Sequence, residues 1–386
     1  MILKHIMKKK FLKIIIKKSG RSINFLACSG FLNKKRRTQF YIGSSETTRK
    51  APLQIKNRLN KIFDFKDYWC HKPSHIKILK KKNYTRFLEW FIGFSEGDGS
   101  FIIRNETPTR PRLVFEVSQK DPKVLFLIRK MLGFGRVRYY IRTETGEAYW
   151  TYIVDTKPNI QRIIALFNGN LVLPKRRFFF NKWLEIASKA NCLPLLFKNK
   201  QTDIHKGISV CLNTAWISGF IDAEGCFYAN LSTPTFGNGS KISKVIKQKM
   251  HITQKSLFFA TGTSGEEKIL KRIGELFSSK AIVYKIKKKI IKETGFYLNG
   301  VPSLSFAKGS CYRIEICSLA SHLLIIQYLR YFQLKTIKWV AFTRWERVVM
   351  ARVRGDHLDE SKIPKLIKLT KAINKFAKES ENWKKV

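Results

Sequence analysis

The chain has 386 residues and a formal net charge of +48, from 75 Lys and Arg against 27 Asp and Glu. An excess of this size excludes strongly basic partners and favours a polyanion, with nucleic acid as the first candidate; the abundance of Lys, Ile, Asn and Phe also fits AT-rich coding DNA. The hydrophobic content of 44% is enough for folded cores, and the length allows two or three domains.

Cysteine usage and hydropathy narrow the cellular setting. The seven cysteines include no CxxC pair, which argues against a disulfide framework and for a reducing compartment. Cys70, His71 and His75 have no further partners at metal-ligand spacing, so we do not expect a zinc site. No stretch approaches the roughly 20 apolar residues that cross a membrane, so no membrane partner is expected.

Residues 1–85 are predicted to form a basic extension. It has no acid before Glu46 and contains runs such as Lys34-Lys35-Arg36-Arg37. We expect it to be poorly ordered to about residue 80. An organelle transit peptide, a leader read from upstream intron sequence and a nonspecific nucleic-acid arm all fit this composition.

A first folded unit is predicted over residues 86–190, with the order αββαββα. Asp121 and Pro122 predict the start of its second helix, as cap and first residue. Strand 134–142 alternates basic and apolar residues, which predicts a half-buried strand with a basic face. The predicted elements are helix 88–97, strands 100–105 and 113–119, helix 121–132, strands 134–142 and 148–154, and helices 158–168 and 174–190.

A linker over residues 191–212 leads to a second unit, residues 213–355, which repeats the order. Its strand 282–289 alternates again, with Lys285 and Lys287 on one face. A basic helix near 363–378 is predicted within the C-terminal segment 356–386. The second unit's elements are helix 215–223, strands 227–232 and 247–254, helix 266–277, strands 282–289 and 311–317, and helices 320–332 and 335–353. The sequence thus predicts an α+β fold of two pseudo-symmetric αββαββα units with antiparallel strands.

Two stretches, residues 90–101 and 216–227, match in pattern at nearly every step. Each opens with Trp and continues through Gly, an aromatic residue, two acids two residues apart, Gly and Phe. Small residues lie four apart on one face of each predicted helix, which lets two helix backbones approach closely. These small residues are Gly93 and Gly97 in the first stretch, and Gly219 and Ala223 in the second.

If the two helices pack side by side, Asp98 and Glu224 leave their last turns at the same end. Two carboxylates there repel each other, and the helix carbonyl ends add partial negative charge. A bridging divalent cation would relieve this, and Mg²⁺ is commonly held by one or two carboxylates plus substrate phosphates. The pair therefore suggests metal-assisted phosphodiester chemistry.

Residues 91–99 and 217–225 resemble the two motif copies of single-chain LAGLIDADG homing endonucleases. One copy alone is compatible with an ordinary buried helix, whereas two copies with matching downstream repeats favour the family. The resemblance covers about residues 86–355. It implies a pseudo-twofold monomer with four-stranded saddle sheets along the DNA major groove, Mg²⁺ or another divalent cation, and cuts leaving 3′ overhangs and 5′ phosphates. It also implies an organellar group I intron as the gene's setting, in a mitochondrion or alternatively a plastid.

Further site residues follow from the resemblance and the repeat. Gln119 and Gln254 stand at matching strand ends, where the family orders water; an ordinary polar strand end is the alternative. Lys157 is the candidate for a lysine near the scissile phosphate. The matching place in the second unit, residues 318–319, has no Lys, which predicts chemically unequal half-sites. The first acids of the motifs, Glu96 and Asp222, are expected to bond backbone or basic groups instead of metal.

Basic and aromatic residues on the predicted strands are candidates for DNA contact, with solvated surface charge as the alternative. Arg can bind guanine through two hydrogen bonds, whereas Lys mostly meets phosphate. The candidates are Arg104, Arg112, Arg136, Arg138, Tyr140, Arg142, Lys247, Lys249, Lys285 and Lys287.

The leading hypothesis is a metal-dependent, site-specific double-strand DNA endonuclease in which Asp98 and Glu224 bind the cation. The main alternative is an RNA maturase that helps its own group I intron to fold, since the same scaffold serves both roles in the family. A catalytically silent DNA-binding regulator is a third possibility, which the intact acids and glutamines argue against.

Overall fold

The computed structural model describes residues 63–76, 81–107, 110–190, 193, 197–200, 208–232, 244–255, 265–286 and 311–375. The predictions for residues 1–62, for Lys287 and for residues 376–386 therefore lie outside the described residues. None of the helices in the described part of the chain is both long and apolar enough to span a membrane.

The first unit is a four-stranded antiparallel sheet with helices on one side. Its strands lie in the order β1-β2-β4-β3. A short helix precedes the predicted elements. In chain order the elements are α1 (Lys66–His71), α2 (Lys81–Asp98), β1 (Gly99–Thr107), β2 (Arg110–Gln119), α3 (Pro122–Leu132), β3 (Arg136–Ile141), β4 (Ala148–Val154), α4 (Lys157–Phe167) and α5 (Pro174–Lys189).

The second unit repeats this arrangement, with strand order β5-β6-β8-β7. The predicted fold class, two pseudo-symmetric units with a four-stranded antiparallel sheet each, is confirmed. The elements are α6 (Trp216–Glu224), β5 (Gly225–Ser232), β6 (Val245–Lys255), α7 (Gly265–Leu276), β7 (Val283–Ile286), β8 (Cys311–Ile316), α8 (Leu319–Tyr331), α9 (Lys338–Arg354) and α10 (Ile363–Ala372).

Local sequence signals set the ends of α3. The Asp121 side chain accepts a hydrogen bond from the backbone N–H of Lys123 at 3.0 Å, and Pro122 opens the helix. Gly133 ends it with a φ of 77°, a left-handed conformation that glycine adopts at little cost. The predicted cap residue and helix start are therefore both present.

Helices α2 and α6 pack against each other in parallel through their small residues. A Cβ on Gly93 would lie 2.1 Å from the carbonyl oxygen of Trp216, and one on Gly219 would lie 1.9 Å from that of Trp90. Further along, a Cβ on Gly97 would lie 2.2 Å from Ala223 Cβ. At these glycines, any side chain larger than hydrogen would overlap the other helix. Because the two helices pack in parallel, both end on the same side of the molecule.

Aromatic side chains fill the space between each sheet and its helices. In the first unit, the Phe101 ring centroid lies 5.1 Å from that of Phe180 and 5.3 Å from that of Trp183. In the second, the Phe227 ring lies 5.6 Å from Phe342 and 5.2 Å from Trp345. Phe101 and Phe227 are the last residues of the two matching stretches, so the repeat extends into the packing of each core.

The N-terminal extension departs from expectation. Phe65 and Tyr68 are buried in the first unit, and the Tyr68 hydroxyl lies 3.0 Å from that of Tyr84. Asn170 donates a 2.7 Å hydrogen bond to the carbonyl oxygen of Asp64. The expected poor order up to about residue 80 is therefore wrong for residues 63–76, because two aromatic side chains there complete the core.

Strand β3 is less buried than its alternation predicted. Tyr139 is 41% exposed and Ile141 is 58% exposed, although both lie on the face that was expected to be covered. The reason is topological: β3 is an edge strand, paired only with β4. Alternation identifies the two faces of a strand but not whether a helix reaches over them.

Candidate functional site

The structure brings Asp98 and Glu224 together where the two motif helices end. Asp98 is the last residue of α2, and Glu224 is the last residue of α6. A Cβ on Gly97, next to Asp98, would lie 3.1 Å from Cγ of Glu224. Asp98 also acts electrostatically on Glu224, whose pKa its charge raises. The two carboxylates thus share one half-buried place at the seam between the units.

Burial and mutual repulsion disfavour two negative charges at this seam. The pKa of Glu224 is raised to about 7, first by burial and then by the charge of Asp98. Burial also raises the pKa of Asp98, opposed by the positive charge of Lys338 and by a hydrogen bond from Gln119. A bound cation would reverse both shifts, because it favours the charged form of each acid.

The two glutamines predicted to order water occupy different environments. Gln119 Nε2 donates a 2.7 Å hydrogen bond to Asp98 Oδ2. Gln254 is buried near the end of β6, and its Oε1 atom has no hydrogen-bond partner. No described residue donates a hydrogen bond to Glu224. The first unit's acid is therefore held by its glutamine, whereas the second unit retains an unsatisfied buried acceptor.

The donor set fits a divalent cation that also binds water and phosphate. Carboxylate oxygens from two helices, with a buried amide oxygen at Gln254, are ligands and water acceptors suited to Mg²⁺. Among the described residues, no cluster of three or more His, Cys, Asp or Glu could hold a metal. The chain alone thus offers two carboxylates, and any further ligands come from water, backbone or substrate.

The first acids of the motifs are engaged across the helix seam. Glu96 accepts from the Trp216 indole at 2.5 Å and from the backbone N–H of Leu173 at 2.6 Å. Asp222 accepts from the Trp90 indole at 2.8 Å and from the backbone N–H of Lys335 at 2.7 Å. Each acid therefore ties the opposite motif helix to the start of its own unit's closing segment.

Two basic residues at the site were not identified from the sequence. Arg176, near the start of α5, donates 2.6 Å hydrogen bonds to the carbonyl oxygens of Glu96 and Gly97. Lys338, the first residue of α9, donates a 2.6 Å hydrogen bond to the carbonyl oxygen of Ala223. They occupy matching places in the two units and cap the ends of the motif helices.

Arg176 and Lys338 also offset the charge of the site. Burial lowers the pKa of both side chains, while the charges of Asp98 and Glu224 act in the opposite direction. A sequence signal existed for them: each is a cation in the first turn of a helix, where the helix dipole disfavours positive charge. Here the neighbouring acids offset that cost, Glu96 first for Arg176 and Asp222 first for Lys338.

The prediction that Lys157 is the lysine near the scissile phosphate is wrong, because Lys157 lies away from the two acids. Gln119, at the end of β2 next to Asp98, lies opposite Trp150, whereas Val154 lies opposite Phe115. Four residues of strand span roughly 13 Å, and Lys157 follows Val154 still further along. It is exposed, as the first residue of α4. The antiparallel return of β4 carries Lys157 away from the acids.

The predicted DNA-binding residues of the first sheet are mostly exposed and partly paired. Arg104 lies 3.1 Å from Glu116, and Arg112 lies 2.6 Å from Asp155, which also binds Arg136. The remaining candidates line the same region. Arg138 is exposed, Arg142 lies 4.0 Å from Glu147, and the Tyr140 ring stacks on Tyr149 with centroids 5.6 Å apart.

In the second sheet, Lys247 and Lys249 lie on the uncovered face, and Lys249 lies 2.8 Å from Glu315. Lys285 does not share this face. It pairs with Tyr312, which pairs with the buried Gln254, so its side chain starts from the helix-covered face. Lys285 therefore starts from the opposite face of the sheet to Lys247 and Lys249, because strand alternation predicts two faces but not which of them a helix covers.

Comparisons with known proteins agree with this geometry. Residues 91–187 match a family model described as LAGLIDADG endonuclease. The chain is 29% identical over 291 residues to the probable intron-encoded endonuclease 4 of Neurospora crassa, covering 75% of this chain and 44% of that protein. It is 24% identical over 244 residues to the probable intron-encoded endonuclease Cox1-I1b of Schizosaccharomyces pombe, covering 57% and 62%. The chain thus spans about half the length of these relatives.

Another relative and two solved structures extend the comparison. The intron-encoded RNA maturase bI4 of Saccharomyces cerevisiae is 29% identical over 194 residues, covering 50% of this chain and 26% of that protein. The LAGLIDADG meganuclease I-CpaMI bound to uncleaved DNA superposes with a TM-score of 0.52 at 18% identity, covering 75% of this chain and 99% of its own. The homing endonuclease I-LtrWI bound to target DNA gives 0.52 at 20% identity, covering 76% and 99%. These likenesses identify the fold.

Proposed function

We propose that the chain is a double-motif member of the LAGLIDADG endonuclease family and a site-specific double-strand DNA endonuclease that cuts at an intron insertion site. The observation that carries the proposal is the meeting of Asp98 and Glu224 at the seam of two basic sheets. In metal-dependent hydrolysis of DNA a concentrated positive charge lies beside the phosphate, and a pair of carboxylates commonly holds such a cation.

Asp98 and Glu224 would hold Mg²⁺ or another divalent cation. When bound, the cation supplies Lewis-acid activation of water and stabilises the leaving 3′ oxygen. The protein's own part is to fix the two carboxylates. The backbone contact of α2 with α6 sets their separation, and Gln119 orients Asp98 through a 2.7 Å hydrogen bond.

Gln119 and Gln254 are proposed to order water around the scissile phosphates. A neutral amide does this without competing for the cation, because it carries no charge of its own. The unpartnered Oε1 of Gln254 supports the proposal for the second half-site, since a buried acceptor without a donor is costly unless water or substrate supplies one.

Arg176 and Lys338 cap the motif helices, and we propose that they also stabilise negative charge on the phosphates. Both lie beside the acids, and a preorganised cation at a site excluded from bulk water stabilises a developing anion more than it would in solution. Because Lys157 lies away from the acids, Arg176 and Lys338 are the best candidates for stabilising the phosphate charge in the two half-sites.

Each unit is proposed to hold one half of an asymmetric duplex target, with residues 86–190 on one side and residues 213–355 on the other. The basic and aromatic residues on the uncovered sheet faces support this division. Carboxylate partners such as Asp155 hold the arginines in place, and an arginine fixed in this way loses less side-chain entropy when it contacts DNA. We propose that the protein acts as a monomer, because one chain supplies both acids.

The gene is proposed to lie in an organellar intron, with the mitochondrion as the site of action. Names of relatives support this: they include intron-encoded endonucleases and a cox1 intron protein of Schizosaccharomyces pombe. The plastid alternative receives no support from the relatives.

A cleavage assay tests the nuclease proposal. The substrate is a duplex carrying the joined exons that flank the intron, incubated with Mg²⁺. The wild-type protein is expected to cut both strands, and Asp98→Asn is expected to abolish cutting while leaving duplex binding intact. Glu96→Gln is the matched control, because Glu96 is a neighbouring acid outside the pair. Full cutting by Asp98→Asn would overturn the assignment of the acids.

An RNA maturase is the second candidate function, favoured by the similarity to the maturase bI4. Both acids are present in this chain, and they are dispensable for RNA binding, so their retention favours cleavage. Splicing of the host intron with and without the protein separates the two functions. Faster splicing by both wild type and Asp98→Asn, without cutting of the exon duplex, would establish the maturase instead.

A further inference from the structure

The outer face of α10 carries lysines without acidic partners. Lys365, Lys368, Lys371 and Lys375 are exposed and share one side of the helix and its C-terminal extension. No Asp or Glu occurs between Ile363 and Lys375. None of the four lysines forms an ion pair with another described residue.

Three of the basic residues on the sheets differ in this respect. Arg104, Arg112 and Lys249 each lie within 3.1 Å of a carboxylate oxygen. A paired cation has part of its field cancelled, whereas an unpaired lysine offers its full charge to a phosphate. Each α10 lysine therefore attracts a polyanion more strongly than each of these paired sheet residues.

Helix α10 is firmly attached to the second unit. Leu366 and Ile373 are buried in the main core. Arg344 Nη1 donates 2.6 Å hydrogen bonds to the carbonyl oxygens of Ala372 and Lys375 and so holds the end of the helix. The lysines consequently project from a fixed position instead of a loose tail.

The attachment places the C-terminal end of α10 against edge strand β5 of the second sheet. Asn374 Nδ2 donates a 2.9 Å hydrogen bond to the carbonyl oxygen of Phe227, in edge strand β5. The next residue, Tyr228, is 41% exposed and pairs with Lys249, whose amine lies 5.5 Å from the Tyr228 ring. The C-terminal end of the lysine face thus adjoins the border of the groove surface.

Within the part of the chain that the structure describes, only the second unit carries this extension. The described residues between Lys189 and Trp216, which follow the first unit's closing helix, contain no helix. From Lys365 to Lys375 the stripe is roughly 15 Å long at the rise of a helix. That length equals about four base-pair rises along the axis of a DNA duplex.

We propose that the lysine face of α10 binds the phosphate backbone of duplex DNA just beyond the base pairs covered by the second sheet. The inference rests on the proposed function for the identity of the polyanion. It extends the protein–DNA interface on one flank of the target only, and it is independent of sequence because phosphates carry no base information.

The salt dependence of duplex binding tests this. The full chain and the double variant K368Q/K371Q are titrated with a nonspecific duplex over a series of KCl concentrations. The slope of log K against log salt is expected to fall by about 0.9 for each phosphate that the variant no longer neutralises, hence by roughly 1.8. K368R/K371R, which keeps both charges, is expected to retain the wild-type slope.

A matched control lies in the same unit. Lys268 and Lys271 are exposed and lie three residues apart on α7, which does not pack beside β5. K268Q/K271Q removes the same charge and is expected to leave the slope near the wild-type value. An equal decrease of the slope in both variants, or an unchanged slope in K368Q/K371Q, would overturn the proposal.

A hydroxyl-radical footprint on the exon duplex sharpens the result. K368Q/K371Q is expected to show weaker backbone protection at one flank and to cut normally at saturating DNA. Weaker binding to structured intron RNA with unchanged duplex binding would overturn the assignment to DNA. Failure of all variants and the wild type to cut, with the slope difference present, would count against the proposed nuclease and not against this surface.

Discussion

The two half-sites have the same backbone and different chemistry. In the first, Gln119 binds Asp98, and Arg176 caps the motif helix through two carbonyl oxygens. In the second, no described residue donates to Glu224, its glutamine keeps an unpartnered oxygen, and the cap is Lys338. The pseudo-symmetry is thus strict where the two helix backbones meet and relaxed among the side chains around the two acids.

The strict part of the symmetry is the helix seam, and breaking it has the largest expected effect. Gly93→Ala and Gly219→Ala each place a Cβ about 2 Å from a backbone oxygen of the other helix. Each is expected to destabilise the fold by about 3 kcal/mol or more, at the upper end of overpacking costs. Chemical denaturation measures this.

The two glycine variants are expected to be equally destabilised, since their contacts are related by the pseudo-twofold axis. Ala223→Gly is the control at the looser end of the seam, where the opposing atom is a side-chain Cβ. A cost below about 1 kcal/mol at either glycine would show that the helices separate more readily than the structure implies.

The relaxed part of the symmetry is expected to appear in catalysis. Arg176→Gln and Lys338→Gln each remove one positive charge beside the acids. We expect each to slow one strand more than the other, by about 10²-fold or more, as when one stabilising donor is removed. Nicking of a supercoiled plasmid carrying the exon junction, with strand-specific end labels, measures the two rates.

Lys157→Gln is the matched control for this pair, because Lys157 is exposed and distant from the acids. Its cutting rate is expected to stay near that of the wild type. Equal slowing of both strands by Arg176→Gln and Lys338→Gln would mean that the half-sites do not act separately.

The raised pKa of Glu224 predicts a smaller, pH-dependent effect. In the absence of metal, the Glu224 carboxyl group binds its proton more tightly in the folded state, where its pKa is about 7, than in the unfolded state, where its pKa is about 4.5. Its contribution to stability is therefore full below about 4.5 and disappears as pH rises toward 7. Glu224→Gln is expected to raise the metal-free Tm at pH 8 more than at pH 5.

With Mg²⁺ present, the wild type is expected to have the higher Tm at pH 8 instead of Glu224→Gln, because the cation stabilises the charged carboxylate. Affinity for Mg²⁺ should accordingly rise with pH through about 7 in the wild type. Glu96 has a similarly raised pKa, from burial, and Glu96→Gln serves as the comparison. An identical pH response of Tm in Glu224→Gln and the wild type would contradict the assigned shift.

The smallest expected difference in stability concerns the two indole hydrogen bonds between the motif helices, from Trp90 to Asp222 and from Trp216 to Glu96. Trp90→Phe and Trp216→Phe each remove one donor from a buried carboxylate, at a cost of about 1–3 kcal/mol. Asp222 also accepts from the Thr336 hydroxyl at 2.5 Å, whereas Glu96 keeps only backbone donors. Trp216→Phe is therefore expected to cost slightly more in chemical denaturation than Trp90→Phe, and the reverse order would contradict this ranking.

Local chemistry was predictable from the sequence. The Asp121 cap and the glycines of the motif helices depend on neighbouring residues and on one repeated pattern, so the sequence is sufficient to identify them. The same repeat predicted that Asp98 and Glu224 would meet, because two matching helices that pack in parallel end at the same place.

Side-chain placement across the sheets was not predictable. Lys157 and Lys285 were assigned by position along the chain, but strand register and the covering helices decide which end and which face a residue occupies. Arg176 lies far along the chain from the carbonyl groups it binds, and only the packed structure brings them together. Burial of Phe65 likewise depends on a partner surface made by later residues.

The central claim is that Asp98 and Glu224 share a divalent cation at the helix seam. The most direct measurement is anomalous diffraction from crystals of the protein with its exon duplex and Mn²⁺. The account predicts an anomalous peak within ligand distance of carboxylate oxygens from both residues. A peak bound elsewhere, or at Glu96 or Asp222 with none between Asp98 and Glu224, would contradict it.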